Sequence, residues 1–368
     1  MTTYAVTNPY ELWSTRKSLG LMRDMKQETW YFGQFFTNTL LSTDEWIDFE
    51  KLPIMKRRLA PFVLPLGRGH GIWEDSQRSY RFKPAYSIVE DVIDPLMPLS
   101  FQAGLGQSAF DQASITPMQR LELIRAAMLS AMDTAVERRW EWMCARAIID
   151  GGYTVSGPSY PATPVNFGRD PGQTVVLGNG QRFGDTGVSI VSFIQSAMDT
   201  MNNAEFGGLP TRITMSSAVA NVMRQDAEFL KHMDVNIIGG TIRVDRGLVT
   251  GGANGGKVYK FGEMLVGGAS GVSIELWVND ETYLDDAGVV QRYLAANQLV
   301  LTAEPAQIMG YKAFGRIIDR DAEYQAVPKF PKFYFTGDRV KTENLAITSA
   351  PLMVPINPNA TFKATVLA

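Results

Sequence analysis

Cysteine and histidine, which serve most often as nucleophiles, general bases and metal ligands, are scarce in this chain. It has one cysteine, Cys144, and two histidines, His70 and His232, among 368 residues. One thiol excludes an internal disulfide framework and a multi-thiolate metal site, and two histidines exclude a histidine-rich metal cluster. The sequence supplies neither histidine with a nucleophile or an orienting group. The motifs of phosphate loops, dinucleotide sites, zinc proteases and nucleophile elbows are absent as well. We therefore expect no catalytic residue and no cofactor.

Two acidic groups could bind a divalent metal ion, because carboxylate oxygens are the ligands such ions prefer. One lies at residues 285–288 (DDAG), and the other pairs Asp319 with Asp321 on one face of a predicted strand. The first group fits the turn of a hairpin between strands at 274–283 and 289–301 better than it fits a metal site. We expect no metal site at either place. Cys144 falls in a predicted helix, where a small buried residue is the simpler interpretation.

Composition narrows the class of protein. Hydrophobic residues make up 45% of the chain, which is enough for a sizeable core, and 35 basic side chains nearly balance 38 acidic ones. A protein that depends on neutralising many phosphates would show a basic excess, and the net charge here is −3. No stretch approaches the roughly 20 apolar residues that cross a bilayer, and the N-terminus lacks a signal-peptide pattern. These features predict a protein made in the cytoplasm that uses no membrane.

The strongest local signal is a long helix over residues 117–149. Thr116 predicts the N-cap, Pro117 the first helical position and Gln119 a capping box, and Gly151 follows the last turn. Its predicted apolar stripe consists of Leu121, Ile124, Met128, Ala131, Ala135 and Trp142. The residues expected to face water or partners are Arg125, Asp133, Glu137, Arg138 and Glu141.

Residues 55–95 predict a protruding two-stranded ribbon. Apolar and polar residues alternate over 80–88, residues 59–66 read as the partner strand, and residues 67–71 (GRGHG) form a glycine-rich tip. Prolines 61, 65 and 84 exclude both strands from the middle of a broad sheet. Because an isolated two-stranded ribbon is marginally stable, we expect it to lie against a neighbouring subunit.

The N-terminal segment is rich in aromatic residues without a sustained period. Trp13, Trp30, Tyr31 and Phe32 are prominent within residues 1–36. Such a segment is costly to leave in water, so we interpret it as an arm that contacts another subunit through these four residues. The alternative is that the arm packs on its own core.

The remaining pattern predicts an α+β fold with helices beside a largely antiparallel sheet. Helices are expected after Asp185 and from Ser216 or Ser217 to about Met233, with a hairpin in the loop-rich stretch 151–184. Strands are expected at 212–215, 242–244, 258–259, 264–266, 274–278, 299–301 and 361–366.

The order of several motifs resembles the phage lambda major capsid protein family. These are FPKFYFTGD at 330–338, ITSAPLMV at 347–354, AANQLVL at 295–301, GYKAFG at 310–315 and DRDA at 319–322, preceded by FF at 35–36 and WIDF at 46–49. The resemblance is strong over 293–368, moderate over 30–150 and weak over 151–240.

This resemblance implies the Hong Kong 97-like capsid fold and a non-enzymatic role. The implied parts are an N-terminal arm (1–45), an extended loop or E-loop (55–95), a peripheral domain (46–54, 96–186 and 313–368) with the helix 117–149 as its spine, and an axial domain (187–312). Copies would assemble as pentamers and hexamers into a shell that encloses double-stranded DNA without sequence-specific binding. Assembly would take place in the bacterial host cytoplasm, and the protein would then be part of the virion. The E-loop residues expected at subunit contacts are Leu64, Gly67, Arg68, His70, Trp73, Tyr80, Arg81, Phe82 and Tyr86.

The resemblance also carries expectations about partners. A portal, a separate scaffolding protein and a decoration protein are implied. Some relatives cross-link an E-loop lysine to a neighbouring asparagine, but Lys83 is the only lysine between residues 59 and 88 and lies far from the tip, so we expect no cross-link. Two alternatives remain open, an encapsulin-like nanocompartment shell and, more remotely, a cytoplasmic enzyme with an unrecognised site.

Overall fold

A computed structural model describes residues 12–24, 30–51, 78–99, 116–157, 160–233, 237–238, 241–242, 257–266, 272–338 and 341–368. The helices are α1 Thr15–Asp24, α2 Pro117–Asp150, α3 Ile190–Asn203, α4 Ser217–Gln225, α5 Ala227–His232 and α6 Pro305–Ile308, with 3-10 turns at Phe32–Phe35, Pro171–Gln173 and Pro358–Ala360. The strands are β1 Asn38–Leu41, β2 Ile47–Lys51, β3 Arg78–Phe82, β4 Ser87–Ile93, β5 Gly152–Gly157, β6 Tyr160–Asn166, β7 Thr174–Val176, β8 Pro210–Met215, β9 Ile237–Ile238, β10 Thr241–Ile242, β11 Val258–Val266, β12 Val272–Asn279, β13 Thr282–Leu284, β14 Val290–Arg292, β15 Gln298–Ala303, β16 Gly310–Phe314, β17 Phe330–Thr336, β18 Thr342–Ser349, β19 Pro351–Pro355 and β20 Thr361–Thr365.

The predicted long helix is confirmed as α2, which has 34 residues and spans about 50 Å. The Thr116 hydroxyl accepts from the Gln119 amide at 3.3 Å, and the Gln119 side chain accepts from the Thr116 amide at 3.0 Å. Gly151 ends the helix with φ +70°, a left-handed conformation that glycine adopts without strain. Local capping chemistry therefore sets both ends of this element.

The predicted face of α2 needs correction. Ala131 and Ala135 are exposed, whereas Arg125, Asp133 and Glu141, which were expected to face water, are buried. The buried apolar residues are Ile124, Leu129, Met132, Val136, Met143, Cys144, Ala145, Ala147, Ile148 and Ile149. The helical periodicity of the sequence could not predict the burial of these charged residues, because their burial depends on partners from segments that are distant in sequence.

Two hydrophobic clusters lie along α2. The first half of the helix packs through Ile124 and Leu129 on α1 and on the sheet β17-β18-β4. The second half packs through Met143 and Ile148 into the larger cluster, which contains the six-stranded sheet β11-β12-β8-β15-β20-β7. The long helix thus belongs to both cores and fixes one against the other.

The six-stranded sheet is mixed rather than largely antiparallel. Strand β12 runs parallel to β8, and β20 runs parallel to β7, while the other three pairings are antiparallel. A further sheet, β1-β16-β19, joins the arm to the C-terminal part of the chain through the parallel pair β1 and β16. The predicted hairpin in 151–184 is confirmed as β5 and β6.

Two predicted elements are broken in the structure. The strand expected over 80–88 is interrupted at residues 83–86, so that β3 pairs with β2 and β4 pairs with β18 in a different sheet. Pro84 lacks an N–H and Ala85 is buried at this crossing, which suits a change of sheet.

The helix expected to reach Met233 breaks at Asp226, whose side chain caps α5 by accepting from the amides of Glu228 and Phe229. The expected partner strand at 59–66, the glycine-rich tip and most of 242–244 lie outside the described residues.

Candidate functional site

The E-loop residues fall partly within the described chain. Leu64, Gly67, Arg68, His70 and Trp73 lie outside it. Tyr80 pairs in register with Phe49 on β2. The exposed Arg81 donates through Nε to Asp48 at 3.0 Å.

The other two described E-loop residues contact their own chain. The ring of Phe82 meets Phe167 edge to face at 5.4 Å between centroids. The Tyr86 hydroxyl accepts from the Ile318 amide at 2.8 Å, and partial burial raises the pKa of Tyr86. The base of the ribbon is therefore anchored within the subunit.

The arm residues pack on their own core, which is the alternative interpretation. Trp13, Tyr31 and Phe32 are 6%, 2% and 0% exposed, so almost all of their surface is covered by their own chain. The subunit contact expected for these three residues is thus corrected to a contact within the chain. Trp30 is partly buried, and its indole N–H donates to Glu137 at 3.2 Å.

Three glutamates of α2 hold the arm. Glu122 accepts from the indole N–H of Trp13 at 2.7 Å, and Glu137 accepts from Trp30. Glu141 accepts from the backbone amides of Phe32 and Gly33 at 2.6 and 2.8 Å, one on each carboxylate oxygen. Aromatic burial and these hydrogen bonds together attach the arm along the helix.

Glu141 lies in an unusually apolar place for a carboxylate. The pKa of Glu141 is raised to about 8, chiefly by burial and also by nearby Glu281, while the two amide donors and Lys312 act in the opposite direction. Burial also raises the pKa of the adjacent Cys144 thiol well above its usual value. A buried thiol with this shift is a packing residue rather than a nucleophile, as the sequence predicted.

Two further charged groups of α2 meet partners from the C-terminal region. Arg125 forms two hydrogen bonds of 2.7 Å with the carboxylate of Glu343 on β18. Lys329 donates to Asp133 and, at 2.6 Å, to Glu137, and lies 5.0 Å from the ring centre of Trp140. Burial raises the pKa of Asp133, and Lys329 counteracts this shift. These pairs connect α2 to the C-terminal segment that contains β17 and β18, about two hundred residues later in the chain.

An arginine of the six-stranded sheet completes the arm's attachment. The guanidinium carbon of Arg212 lies 5.9 Å from the ring centre of Tyr31, 5.4 Å from Phe35 and 5.1 Å from Trp277. Its charge is paired with Glu275 at 3.2 Å. A cation over aromatic faces contributes roughly 0.5–2 kcal/mol. The arm therefore bridges α2 and the six-stranded sheet.

The predicted acidic groups have internal partners. The Asp285 carboxylate accepts from the amides of Ala287 and Val289 at 3.0 and 2.8 Å, which confirms the hairpin turn, although its strands β13 and β14 are shorter than expected. Lys332 lies 2.9 Å from Asp319 and 2.6 Å from Asp321. Within the described part of the chain, no three His, Cys, Asp or Glu residues are grouped as a metal site would require.

The clefts on the described surface include two open ones. One, of about 630 Å³, is lined by Thr37, Thr211, Arg212, Ser273, Glu275, Glu304, Pro305 and Ala306; the other, of about 430 Å³, by Asp170, Gly172, Gln173, Ser196, Asp199, Thr200, Asn203 and Ala204. Neither lining contains a histidine or a cysteine. None of the helices in the described residues is long and apolar enough to cross a membrane.

Known proteins resemble this chain along nearly its whole length. A sequence model of the family described as Phage major capsid protein E matches residues 25–366. The major capsid protein of Enterobacteria phage P21 is 21% identical over 359 residues, or 95% of this chain and 97% of the relative. That of Escherichia phage lambda is 22% identical over 333 residues, or 88% and 90%. The solved capsid protein of a prophage of Escherichia coli CFT073 aligns with a TM-score of 0.66 at 17% identity, over 97% of this chain and 99% of that one. The predicted α+β capsid fold and the family resemblance are confirmed.

Proposed function

The chain belongs to the phage major capsid protein E family, and we infer that it is the major capsid protein of a tailed bacteriophage, whose copies assemble as pentamers and hexamers into the icosahedral head. The observation that carries this conclusion is the family match over residues 25–366, which runs from the arm to the last strand. Assembly by many weak contacts is the expected mechanism, because multivalency makes a closed shell far more stable than any one contact.

The internal geometry supports this role. A shell subunit must keep its shape while neighbours contact it on several sides. The buried ion pair of α2 with Glu343, the partly buried pairs of α2 with Lys329, and the arm held by Glu122, Glu137 and Glu141 supply that rigidity. The family gives no reason to expect turnover, and we propose a purely structural, non-enzymatic role.

The proposed domains follow the family resemblance. We assign residues 1–45 to the arm, 55–95 to the E-loop, and 46–54, 96–186 and 313–368 to a peripheral domain with α2 as its spine. Residues 187–312 form the axial domain. Strands β7 and β20 lie outside that last range but complete its six-stranded sheet, so they join the two domains.

The proposed partners are the chain itself, a portal, a separate scaffolding protein and a decoration protein. The shell encloses double-stranded DNA, and the net charge of −3 suits a container that does not bind its cargo tightly. Assembly takes place in the bacterial host cytoplasm. Contacts between subunits are proposed for the E-loop and for Trp30, whose side chain is partly exposed.

Sedimentation tests this function. The chain is expressed alone and with the scaffolding protein of its own phage, and each lysate is separated on a sucrose gradient. Most of the chain is expected in a fast-sedimenting fraction, with scaffold or without it. A chain that stays monomeric or dimeric in both cases would overturn the proposed function.

A further inference from the structure

Among the residues that the structure describes, the sheet β17-β18-β4 has an open edge at β4. Strand β4 pairs with β18 on one side, and no other strand pairs with it among the described residues. Apolar side chains accompany this edge: Ile88 is 57% exposed, Val92 45%, Leu96 67% and Leu99 66%. Exposed strand edges and apolar patches of this kind are normally covered, because they otherwise promote unwanted association.

The same edge carries negative charge. Residues 87–99 contain Glu90, Asp91 and Asp94, all exposed, and no basic residue. The occupant that covers the edge is therefore expected to combine apolar and basic side chains.

Apolar and basic side chains occur together at the other edge of the same sheet, beside β17. Helix α1 packs next to β17, where Trp13 just before the helix meets Phe333 at 5.7 Å between ring centres. Its outer side exposes Leu19 (42%) together with Arg16 and Arg23. Arg23 lies 3.5 Å from Asp24, the one acidic residue of the helix, and Lys17 is already paired with Glu122 of α2 at 3.4 Å. One subunit thus carries a basic apolar face beside β17 and an acidic apolar edge at β4.

Resting on the proposed function, we propose that the outer face of α1 in one copy covers the β4 edge of the next copy. Two different, complementary surfaces of one chain make a head-to-tail contact, and such contacts close into rings when the rotation per copy allows it. The contact would run around each pentamer and hexamer. The proposed partner of the β4 edge is therefore a second copy of the chain.

Charge reversal tests the contact. Glu90→Lys with Asp91→Lys alters the edge, Arg16→Glu with Arg23→Glu alters the helix, and a third protein combines all four changes. Each pair of changes is expected to raise the concentration needed for half-assembly roughly tenfold at low salt, and the combined protein is expected to recover most of the loss. Wild-type assembly by both altered proteins, or no recovery in the combined one, would overturn the proposal.

Disulfide trapping gives a readout that does not depend on altered charge. Leu19→Cys is combined with Leu96→Cys or with Leu99→Cys in otherwise unchanged chains, assembled, and treated with oxidised glutathione. Cys144 is 1% exposed and adds little background. Covalent multimers of up to five or six copies are expected, and shells that yield only monomers with both pairs would contradict the contact. An unchanged chain that forms no shells at all would instead count against the proposed function itself.

Discussion

Arg125 and Glu343 form a two-pronged ion pair in the interior of the subunit. Nε and Nη2 of Arg125 each donate to a carboxylate oxygen of Glu343 at 2.7 Å, and the two residues are 1% and 6% exposed. They lie 218 positions apart in sequence. The pair fixes the first half of α2 to β18 and so to the sheet β17-β18-β4.

Breaking this pair on one side is expected to be costly. Glu343→Gln leaves the Arg125 charge buried with only the half-exposed Glu122 as an ionic partner, and should lower the free energy of unfolding by about 3–5 kcal/mol. Urea denaturation of the unassembled chain measures this loss of unfolding free energy. The control is Asp48→Asn at the exposed Arg81 pair, expected to change stability by less than about 1 kcal/mol. An equally small effect of Glu343→Gln would show that the buried pair does not hold the helix.

Glu141 predicts a pH dependence of the opposite sign to that of most carboxylates. Its folded-state pKa of about 8 exceeds the ordinary value of 4.5, so the folded chain holds more protons than the unfolded chain between these values. The free energy of unfolding should therefore fall as the pH rises from about 4.5 to about 8. Glu141→Gln should flatten this slope in urea titrations at several pH values. Glu304→Gln, at an exposed helix start, controls for the loss of one negative charge, and an identical slope in all three proteins would refute the assignment.

The arm's contact with β16 leaves no room at Gly310. A Cβ there would lie 2.5 Å from the Phe35 carbonyl oxygen and 2.8 Å from Cα of Phe36. Gly310→Ala should therefore displace the arm and destabilise the chain by roughly 1–3 kcal/mol. Gly20→Ala in α1, where nothing lies within 4 Å, should stabilise it by roughly 0.5–1 kcal/mol. Thermal unfolding and limited proteolysis of the arm compare the two variants, and a harmless Gly310→Ala would contradict this packing.

Covalent cross-linking between subunits is not expected. Nζ of Lys83 lies 2.7 Å from the Glu45 carboxylate at the base of the ribbon, so this lysine is already paired within its own chain. Shells boiled in denaturant should run as a single monomer band in electrophoresis. A ladder of multimers from unaltered shells would refute this prediction.

Local chemistry made part of this fold predictable. The ends of α2 follow from Thr116, Gln119 and Gly151, and the turn at Asp285 follows from short-range hydrogen bonding. The interruption at residues 83–86 could have been anticipated from Pro84, whose missing N–H was used only to exclude a central strand. Elements of this kind depend on neighbours within a few residues.

The buried charges could not be predicted in the same way. Arg125, Asp133 and Glu141 have the spacing of a solvated face, and their burial depends on partners that are remote in sequence, such as Glu343 and Lys329. The arm's own docking likewise depends on glutamates about 110 residues away. The many aromatic residues of the arm, which follow no helix or strand periodicity, indicated that the arm is buried. Their pattern could not show whether they pack on the chain's own core or on a neighbouring subunit.

Electron microscopy of the purified high-molecular-weight fraction tests the central claim most directly. Closed shells of uniform size, or tubes and sheets built from hexamers, are the expected result, with five-fold and six-fold clusters resolved in class averages. A folded chain that forms only monomers or dimers at high concentration, with its scaffolding protein present, would contradict its assignment as a shell protein.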